Sequence, residues 1–316
     1  MDVSVVVPVY NEEECVEALV ARLHEVMSGL DRSYEILLVD DGSSDGTWAK
    51  LAKAAETTPC LKLIRFRRNF GQTAAISAGF HAAQGEAVVT LDADLQNDPA
   101  DIPRLLERFD QGFDVVSGWR KERKDKFLTR RLPSMLANWL ISKITGVYLH
   151  DYGCTLKVYR REVIRNVHLY GEMHRFIPAL ASWVGGTIDE VVVTHHPRRF
   201  GTSKYGLSRT LRVVLDLMTV KFLLRYSTGP IQLYGKLGAL FFLPGLLGLV
   251  GMAVANLAVG ATFIKRPFWV MTVFMLMYMG MQFVSIGLLA EVQIRTYHES
   301  QDKRVYVIRE TKESVS

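Results

Sequence analysis

The run A-V-V-T-L-D-A-D-L-Q, residues 87–96, decides the fold. Residues 87–91 are apolar apart from one threonine, the pattern of a strand buried on both faces. Asp92 and Asp94 follow at once, with Gln96 two positions further on. A strand that ends this way fits an open α/β sheet, where ligands gather beyond the carboxyl ends of the strands. If the chain stays extended, period-two spacing puts all three side chains on one side. Two carboxylates and an amide oxygen are hard ligands suited to Mg2+ or Mn2+, which bridge diphosphate oxygens. A D-x-D alone is also found in solvated turns and helix caps. Its place at a strand end, with other polar strand ends nearby, favours the ligand reading.

Upstream, further short Val/Ile/Leu runs at residues 3–7, 35–39 and 61–66 read as strands, and 114–117 follows downstream. Helical spacing fills 13–28, 47–57, 72–83 and 99–111, with Ser44 and Thr47 as one helix start and Asn97–Pro99 as another. Repeated strand–helix order implies a mostly parallel, Rossmann-like sheet with right-handed crossovers. Each strand end then presents polar or turn residues: Tyr10-Asn11-Glu12, Asp40-Asp41-Gly42-Ser43, Arg68-Asn69-Phe70-Gly71 and Asp92-Ala93-Asp94. There is no G-x-G-x-x-G after the first strand and no G-x-x-x-x-G-K-[ST] anywhere, so dinucleotide and P-loop readings lose their support.

Residues 121–205 add a basic helix near 130–145, strands at 155–159 and 188–195, a helix near 176–183, and a loop at 199–205. Residues 207–224 look amphipathic and are expected to lie in a membrane interface. Two uncharged stretches follow, 237–264 and 267–290, separated only by Lys265 and Arg266. At about 1.5 Å per residue, each is long enough to cross a ~30 Å hydrocarbon core. The expected organisation is a soluble domain over 1–205, interface helices over 206–233, a transmembrane hairpin over 234–290, and a charged cytosolic tail over 291–316. Residues 305–308 of that tail could add a strand.

The net charge of the 316 residues is +5. Basic residues concentrate before the first span, from Arg198 to Lys236, and after the second at Arg295, Lys303 and Arg304. That bias places both hairpin ends in the cytoplasm. Anionic lipid is the expected partner of this charge; nucleic acid is not, because base-stacking aromatics are not interleaved with it. Cys15, Cys60 and Cys154 are widely spaced and read as reduced thiols. The strand pattern starts at residue 3 with no leader ahead of it, so no cleaved signal peptide is expected. Neighbours on a strand face opposite ways, which argues against His195-His196 as a metal pair. Gly245, Gly248 and Gly251 read as helix-packing positions and the methionines of the second span as lipid-facing or packing filler. Asn256 and Gln282 lie at unmatched depths and are not expected to pair.

Five motifs occur in order: V-V-P-V-Y-N-E-E (6–13), V-D-D-G-S-S-D-G-T (39–47), R-N-F-G-Q (68–72), L-D-A-D-L-Q (91–96) and R-R-F-G-T-S-K-Y (198–205). Together they resemble glycosyltransferase family 2, and more narrowly the bacterial polyprenyl-phosphate glycosyltransferases related to dolichyl-phosphate mannose synthase. The segment D-Y-G-C-T-L-K-V-Y-R-R (151–161) is similar to the undecaprenyl-phosphate transferases of formamido-arabinose. The resemblance implies a GT-A-type fold and inverting transfer of one sugar from a nucleotide donor to a polyprenyl phosphate at the cytoplasmic face of a bacterial inner membrane. It implies that Pro8, Tyr10, Glu12, Asp40 and Asp41 hold the nucleotide. It further implies that Asp92, Asp94 and Gln96 hold the metal and diphosphate. Arg120 and Arg131 would face phosphates, and Arg199 and Lys204 would complete the site from the loop at 198–205. Relatives assemble as oligomers, which extends the expectation to a homo-oligomer. UDP-glucose is the first donor expected, with mannose, N-acetylglucosamine and aminoarabinose donors behind it.

Two rivals remain at this stage. A processive polysaccharide synthase usually carries Q-x-x-R-W before a larger set of spans; here Gln301–Arg304 is followed by Val305, beyond both spans. A non-catalytic scaffold that senses nucleotide sugars would not need Asp92, Asp94, Arg120 and Arg199 intact.

Overall fold

Apolar strands flanked by amphipathic helices assemble here into one sheet with helices on both faces. The computed structural model describes residues 1–121, 132–165, 167, 169, 173–197, 230–259, 267–300 and 306–313. The chain divides into two compact units, one of Met1–Val220 with Arg304–Ser316 and one of Lys221–Lys303.

In the first unit, β1 (Val3–Val9), β2 (Tyr34–Asp40), β3 (Leu61–Phe66) and β4 (Ala87–Thr90) pair in parallel, joined by α1 (Val16–Ser28), α2 (Thr47–Thr57) and α3 (Gln72–Ala82). The next helix, α4 (Ile102–Asp110), leads into β5 (Val115–Trp119). Helix α5 (Leu132–Thr145) precedes β6 (Lys157–Arg160), the short α6 (Arg161–Arg165), α7 (Ile177–Trp183) and β7 (Ile188–Val192). The last strand is β8 (Ile308–Glu313), and the eight strands order as β7-β5-β6-β4-β1-β2-β3-β8. The pairings β4–β6, β5–β6 and β3–β8 are antiparallel, while β5–β7 is parallel. The parallel expectation therefore holds for the four central strands and fails at β6 and β8. Residues 114–192 do not build a separate layer but extend the same sheet.

Several boundaries differ from those read off the sequence. The seventh strand stops at Val192 instead of reaching His195, which makes an isolated bridge to Asn97. The tail strand lies at 308–313 rather than 305–308, so this stretch of the tail returns to cover the edge of β3. An exposed edge offers unpaired backbone groups to other chains, and a covering strand removes that hazard. Helix α2 is not capped by Ser44; the Asp45 carboxylate takes the Thr47 N–H at 3.1 Å. Pro99 does open a turn as expected, with Asp98 capping the Ala100 N–H at 3.0 Å.

Strand alternation divides β1 between two faces. Val3, Val5, Val7 and Val9 join a core with Leu19 and Leu23 of α1, Leu51 of α2 and Leu105 of α4. On the opposite face Val6 meets α3, a helix rich in alanine, and a Cβ added at Gly79 would lie 2.1 Å from Val6 Cγ1. That absent methyl lets α3 press onto the sheet, which sets the position of its first residue, Gln72. At the other end of the strands, buried Glu35 accepts Ser4 Oγ–H at 2.5 Å and the Gln84 N–H at 2.7 Å, and pairs with Lys62 at 3.2 Å. A buried carboxylate is tolerated only when it is so satisfied.

The second unit holds α8 (Pro230–Val259) and α9 (Pro267–Ser300), packed side by side. By length and apolar composition, Leu233–Ala258 and Pro267–Ala290 are candidate membrane spans. Small residues allow the close approach: a Cβ on Gly245 would sit 2.7 Å from Met277 Cγ, and one on Gly280 2.6 Å from Phe242 Cβ. Gly248 also faces α9, through Val273, and Gly238 faces Val284, whereas nothing lies within 4 Å of a Cβ on Gly251. Gly251 therefore does not serve this contact. The expected interface helix at 207–224 and the turn at Lys265 and Arg266 lie outside the described residues.

Replacing Gly79 by Ala should overpack the α3–β1 contact and cost about 1–3 kcal/mol. A fall in the thermal midpoint of the purified full-length protein is the expected reading; an unchanged midpoint would show that α3 has room to retreat.

Candidate active site

At the end of β4 the chain does not stay extended. Leu95 adopts φ +56° and the Asp94 carboxylate accepts the Gln96 N–H at 3.2 Å, a turn closed by the aspartate's own side chain. The common side expected for Asp92, Asp94 and Gln96 from strand periodicity is thus replaced by a turn. Gln96 is anchored through its backbone, its carbonyl accepting the His196 N–H at 2.8 Å. Asp92 Oδ1 accepts the Gln72 side-chain amide at 2.7 Å, which ties the motif to the start of α3.

Thr155 supports the same corner. Its carbonyl accepts Thr90 Oγ1–H at 2.8 Å and its hydroxyl accepts the Asn97 amide at 2.9 Å. Burial and the neighbouring charge of Asp94 hold Asp92 above the usual carboxylate range, while Thr155, Arg120 and Arg175 pull it down. Among the described residues no group of three or more His, Cys, Asp or Glu side chains is arranged to hold a metal. The carboxylates of Asp92 and Asp94 remain a fitting hard-oxygen donor pair for Mg2+ or Mn2+, with a diphosphate and water able to fill the other positions.

Two cationic side chains, Arg120 and Arg175, act on Asp92. Arg120, just past β5, makes a bidentate pair with Asp151, Nε to Oδ2 at 2.7 Å and Nη2 to Oδ1 at 3.0 Å. Both side chains are nearly buried, and the carboxylate holds the guanidinium in one plane, its pKa raised further above the usual arginine value. Lys157 in β6 is 2% exposed and donates to the Tyr152 carbonyl at 3.1 Å. Burial pushes its ammonium down to about 8. Arg175 lies in a one-turn 3-10 segment, Met173–Phe176, and its charge reaches both Asp92 and Lys157. The adjacent His174 fixes that turn, with Nδ1 2.8 Å from Thr73 Oγ1 in α3.

Asp151, Thr155, Lys157, Gln72 and Arg175 were given no role by the sequence reading. Gln72 lies in the R-N-F-G-Q motif and Asp151, Thr155 and Lys157 in the 151–161 segment, so only Arg175 falls outside the motifs quoted above.

At the ends of the first two strands, Pro8 lies in β1 opposite Val39 and Tyr10 is exposed just beyond the strand. The Glu12 N–H donates to Thr47 Oγ1 at 3.0 Å and the Asn11 N–H to Ser43 Oγ at 2.9 Å. Asp40 is buried, accepting the Ser43 N–H at 3.0 Å and facing Arg65 Nε at 3.4 Å. Asp41 turns to the neighbouring loop, its two oxygens accepting the Phe70 and Gly71 N–H groups at 2.7 and 2.9 Å. Gly42 permits this approach: at φ +70°, an added Cβ would lie 2.4 Å from the Arg68 carbonyl carbon. His196 Nε2 lies 3.0 Å from Asp98 Oδ2. Arg131, Arg199 and Lys204 lie outside the described residues.

Burial pushes Asp41 up to about 6, against the pull of its two N–H donors. The fold therefore favours the protonated carboxyl: this stabilisation is complete below the ordinary value of 3.8 and fades as pH rises through 6. The thermal midpoint of Asp41→Asn relative to the wild type should accordingly rise between pH 4 and pH 7. A difference that stays flat over that range would contradict the shift.

Comparison with known proteins places this geometry. The profile described as Glycosyl transferase family 2 matches residues 4–167. Dodecaprenyl-phosphate galacturonate synthase of Rhizobium johnstonii is 43% identical over 98% of this chain and 93% of its own length. Undecaprenyl-phosphate 4-deoxy-4-formamido-L-arabinose transferase of Pseudomonas paraeruginosa is 41% identical over 94% of this chain and 86% of its own. Among solved structures, glucosyl-3-phosphoglycerate synthase of Mycobacterium tuberculosis in complex with Mn2+, UDP and glucosyl-3-phosphoglycerate superposes with a TM-score of 0.55. That match is 18% identical and covers 70% of this chain and 79% of the other, a likeness of fold. With the strand-end carboxylates, the mixed GT-A-like sheet and relatives along nearly the whole chain, this protein belongs to glycosyl transferase family 2.

Proposed function

We propose that this enzyme transfers one sugar from a nucleotide donor to a polyprenyl phosphate at the cytoplasmic face of the membrane. The observation that carries the reading is the Asp92–Asp94 pair beside the Arg120–Asp151 fork, in a chain 43% identical to a dodecaprenyl-phosphate galacturonate synthase. The two apolar helices support a lipid acceptor, since a polyprenyl chain is itself confined to the bilayer. The excess of Lys and Arg flanking the spans supports a cytoplasmic catalytic domain.

A phosphate monoester has a second pKa near ~6 and is already an anionic nucleophile at neutral pH. The chain's task is therefore neutralisation and alignment rather than proton removal. Arg120, held planar by Asp151, presents guanidinium donors to phosphate oxygens, and Arg175 adds positive charge beside Asp92. Asp40, Tyr10, Glu12 and Pro8 cradle the nucleoside. Asp41 serves that side indirectly by fixing the Phe70–Gly71 loop. Arg131, Arg199 and Lys204 would complete the phosphate contacts. A Mg2+ or Mn2+ ion held by Asp92 and Asp94, with Gln96 beside them, would supply charge to the departing diphosphate. In-line attack from the far side inverts the anomeric centre.

UDP-glucose is the donor expected from the sequence. The names of the relatives make nucleotide-activated galacturonate and 4-deoxy-4-formamido-L-arabinose its competitors. Purified protein with undecaprenyl phosphate and each donor in turn should convert one of them to an extractable glycolipid. If none is converted, the reading fails. Asp94→Asn should lower turnover about 100- to 1,000-fold through weakened metal binding. Undiminished turnover at limiting Mg2+ would remove Asp94 from that role.

A further inference from the structure

The chain at 67–72 touches two of the site's carboxylates and has little packing of its own. Its Phe70 and Gly71 N–H groups hold Asp41 at 2.7 and 2.9 Å, and the Gln72 amide holds Asp92 Oδ1 at 2.7 Å. Arg67, Arg68 and Asn69 are exposed, and a Cβ on Gly71 would meet nothing within 4 Å. The half-buried Phe70 ring is therefore the side chain that anchors this stretch to the core.

What Phe70 rests on comes from the far end of the chain. Its ring meets Phe66 edge to face, with centroids 5.7 Å apart, and Phe66 stacks on Tyr306 at 5.1 Å and 15°. Tyr306 is only 6% exposed. The backbone holds it in place: the Arg67 N–H donates to the Val307 carbonyl at 3.2 Å, and Phe66 pairs with Ile308 across a register shift in the β3–β8 ladder. The same cluster includes Ala74, Ala75 and Ala78 of α3, and the His81 ring of that helix lies 6.3 Å from Tyr306. Stacked and edge-on rings fix one another's orientation, which an aliphatic side chain of similar bulk does not.

We propose that Tyr306 is a positioning residue for the active site, acting through Phe66 and Phe70 on the backbone that holds Asp41 and Asp92. The strand that follows the second apolar helix would then do more than cover the edge of β3. It braces the turn from β3 into α3 on the side away from Asp41, so that the Phe70 and Gly71 N–H groups and the Gln72 amide stay aimed at their carboxylates. The effect on turnover presupposes the sugar transfer proposed above; the brace itself does not.

Hydrogen exchange and kinetics of the purified full-length protein test the two parts separately. Tyr306→Leu keeps most of the bulk and removes the ring, and Tyr306→Phe keeps the ring. Met27→Ala is the comparison: it truncates a buried side chain in the last turn of α1, at the opposite end of the strands. Tyr306→Leu should speed exchange of the Phe70 and Gly71 amides about 3- to 10-fold, and Tyr306→Phe should restore it. Met27→Ala should lower the thermal midpoint while leaving those two amides near their wild-type rates. Unchanged exchange in Tyr306→Leu, or an equal rise in Met27→Ala, overturns the brace. With the donor that the wild type accepts, Tyr306→Leu should lower kcat about 10-fold and leave the KM for polyprenyl phosphate within about twofold. Tyr306→Phe should recover kcat. Faster exchange with undiminished kcat would reject the positioning role. A wild type that transfers no sugar would sink the proposed reaction, and the exchange rates alone would then decide the brace.

Discussion

Two carboxylates placed two residues apart at the end of a buried strand repel each other, and much of the first unit answers that constraint. Asp92 sits above the usual carboxylate range because of its burial and Asp94. The surrounding chain compensates from four directions, with Gln72 from α3, Thr155 from the approach to β6, Arg120 from β5 and Arg175 from the 173–176 turn. A divalent cation held between the two carboxylates would offset that repulsion.

The sheet topology explains how so many elements reach one corner. Parallel strands β1 to β4 deliver their carboxyl ends to the same edge, which brings Tyr10, Asp40, Asp41 and Asp92 together. Antiparallel β6 then runs back between β4 and β5, so the residues just before it, Asp151 to Thr155, arrive at that edge as well. Reversing one strand thus adds a loop to the site without adding another crossover. Asp151 uses that position to hold Arg120, and Thr155 to brace the D-x-D turn.

The second unit obeys different physics. Between apolar helices in a bilayer no hydrophobic force drives association, so contact depends on close backbone approach and on polar groups that seek partners. Glycines at 238, 245, 248 and 280 provide the first between α8 and α9.

Strand and helix order, the carboxylate motif and the two long apolar runs were all legible in the chain, because each depends on local periodicity or on composition over a short window. The family resemblance rested on five such local motifs. Contacts between distant residues were not legible: the Asp151 partner of Arg120, the His174–Thr73 tether 101 positions apart, and the return of 308–313 to the edge of β3. The turn at Leu95 also escaped, since strand periodicity cannot foresee where an aspartate will bond its own backbone. Residue type and spacing settled which groups could do chemistry here. Only the tertiary structure decided which of them meet, because pairing across the sheet depends on packing choices such as the bare Cα of Gly79 against Val6.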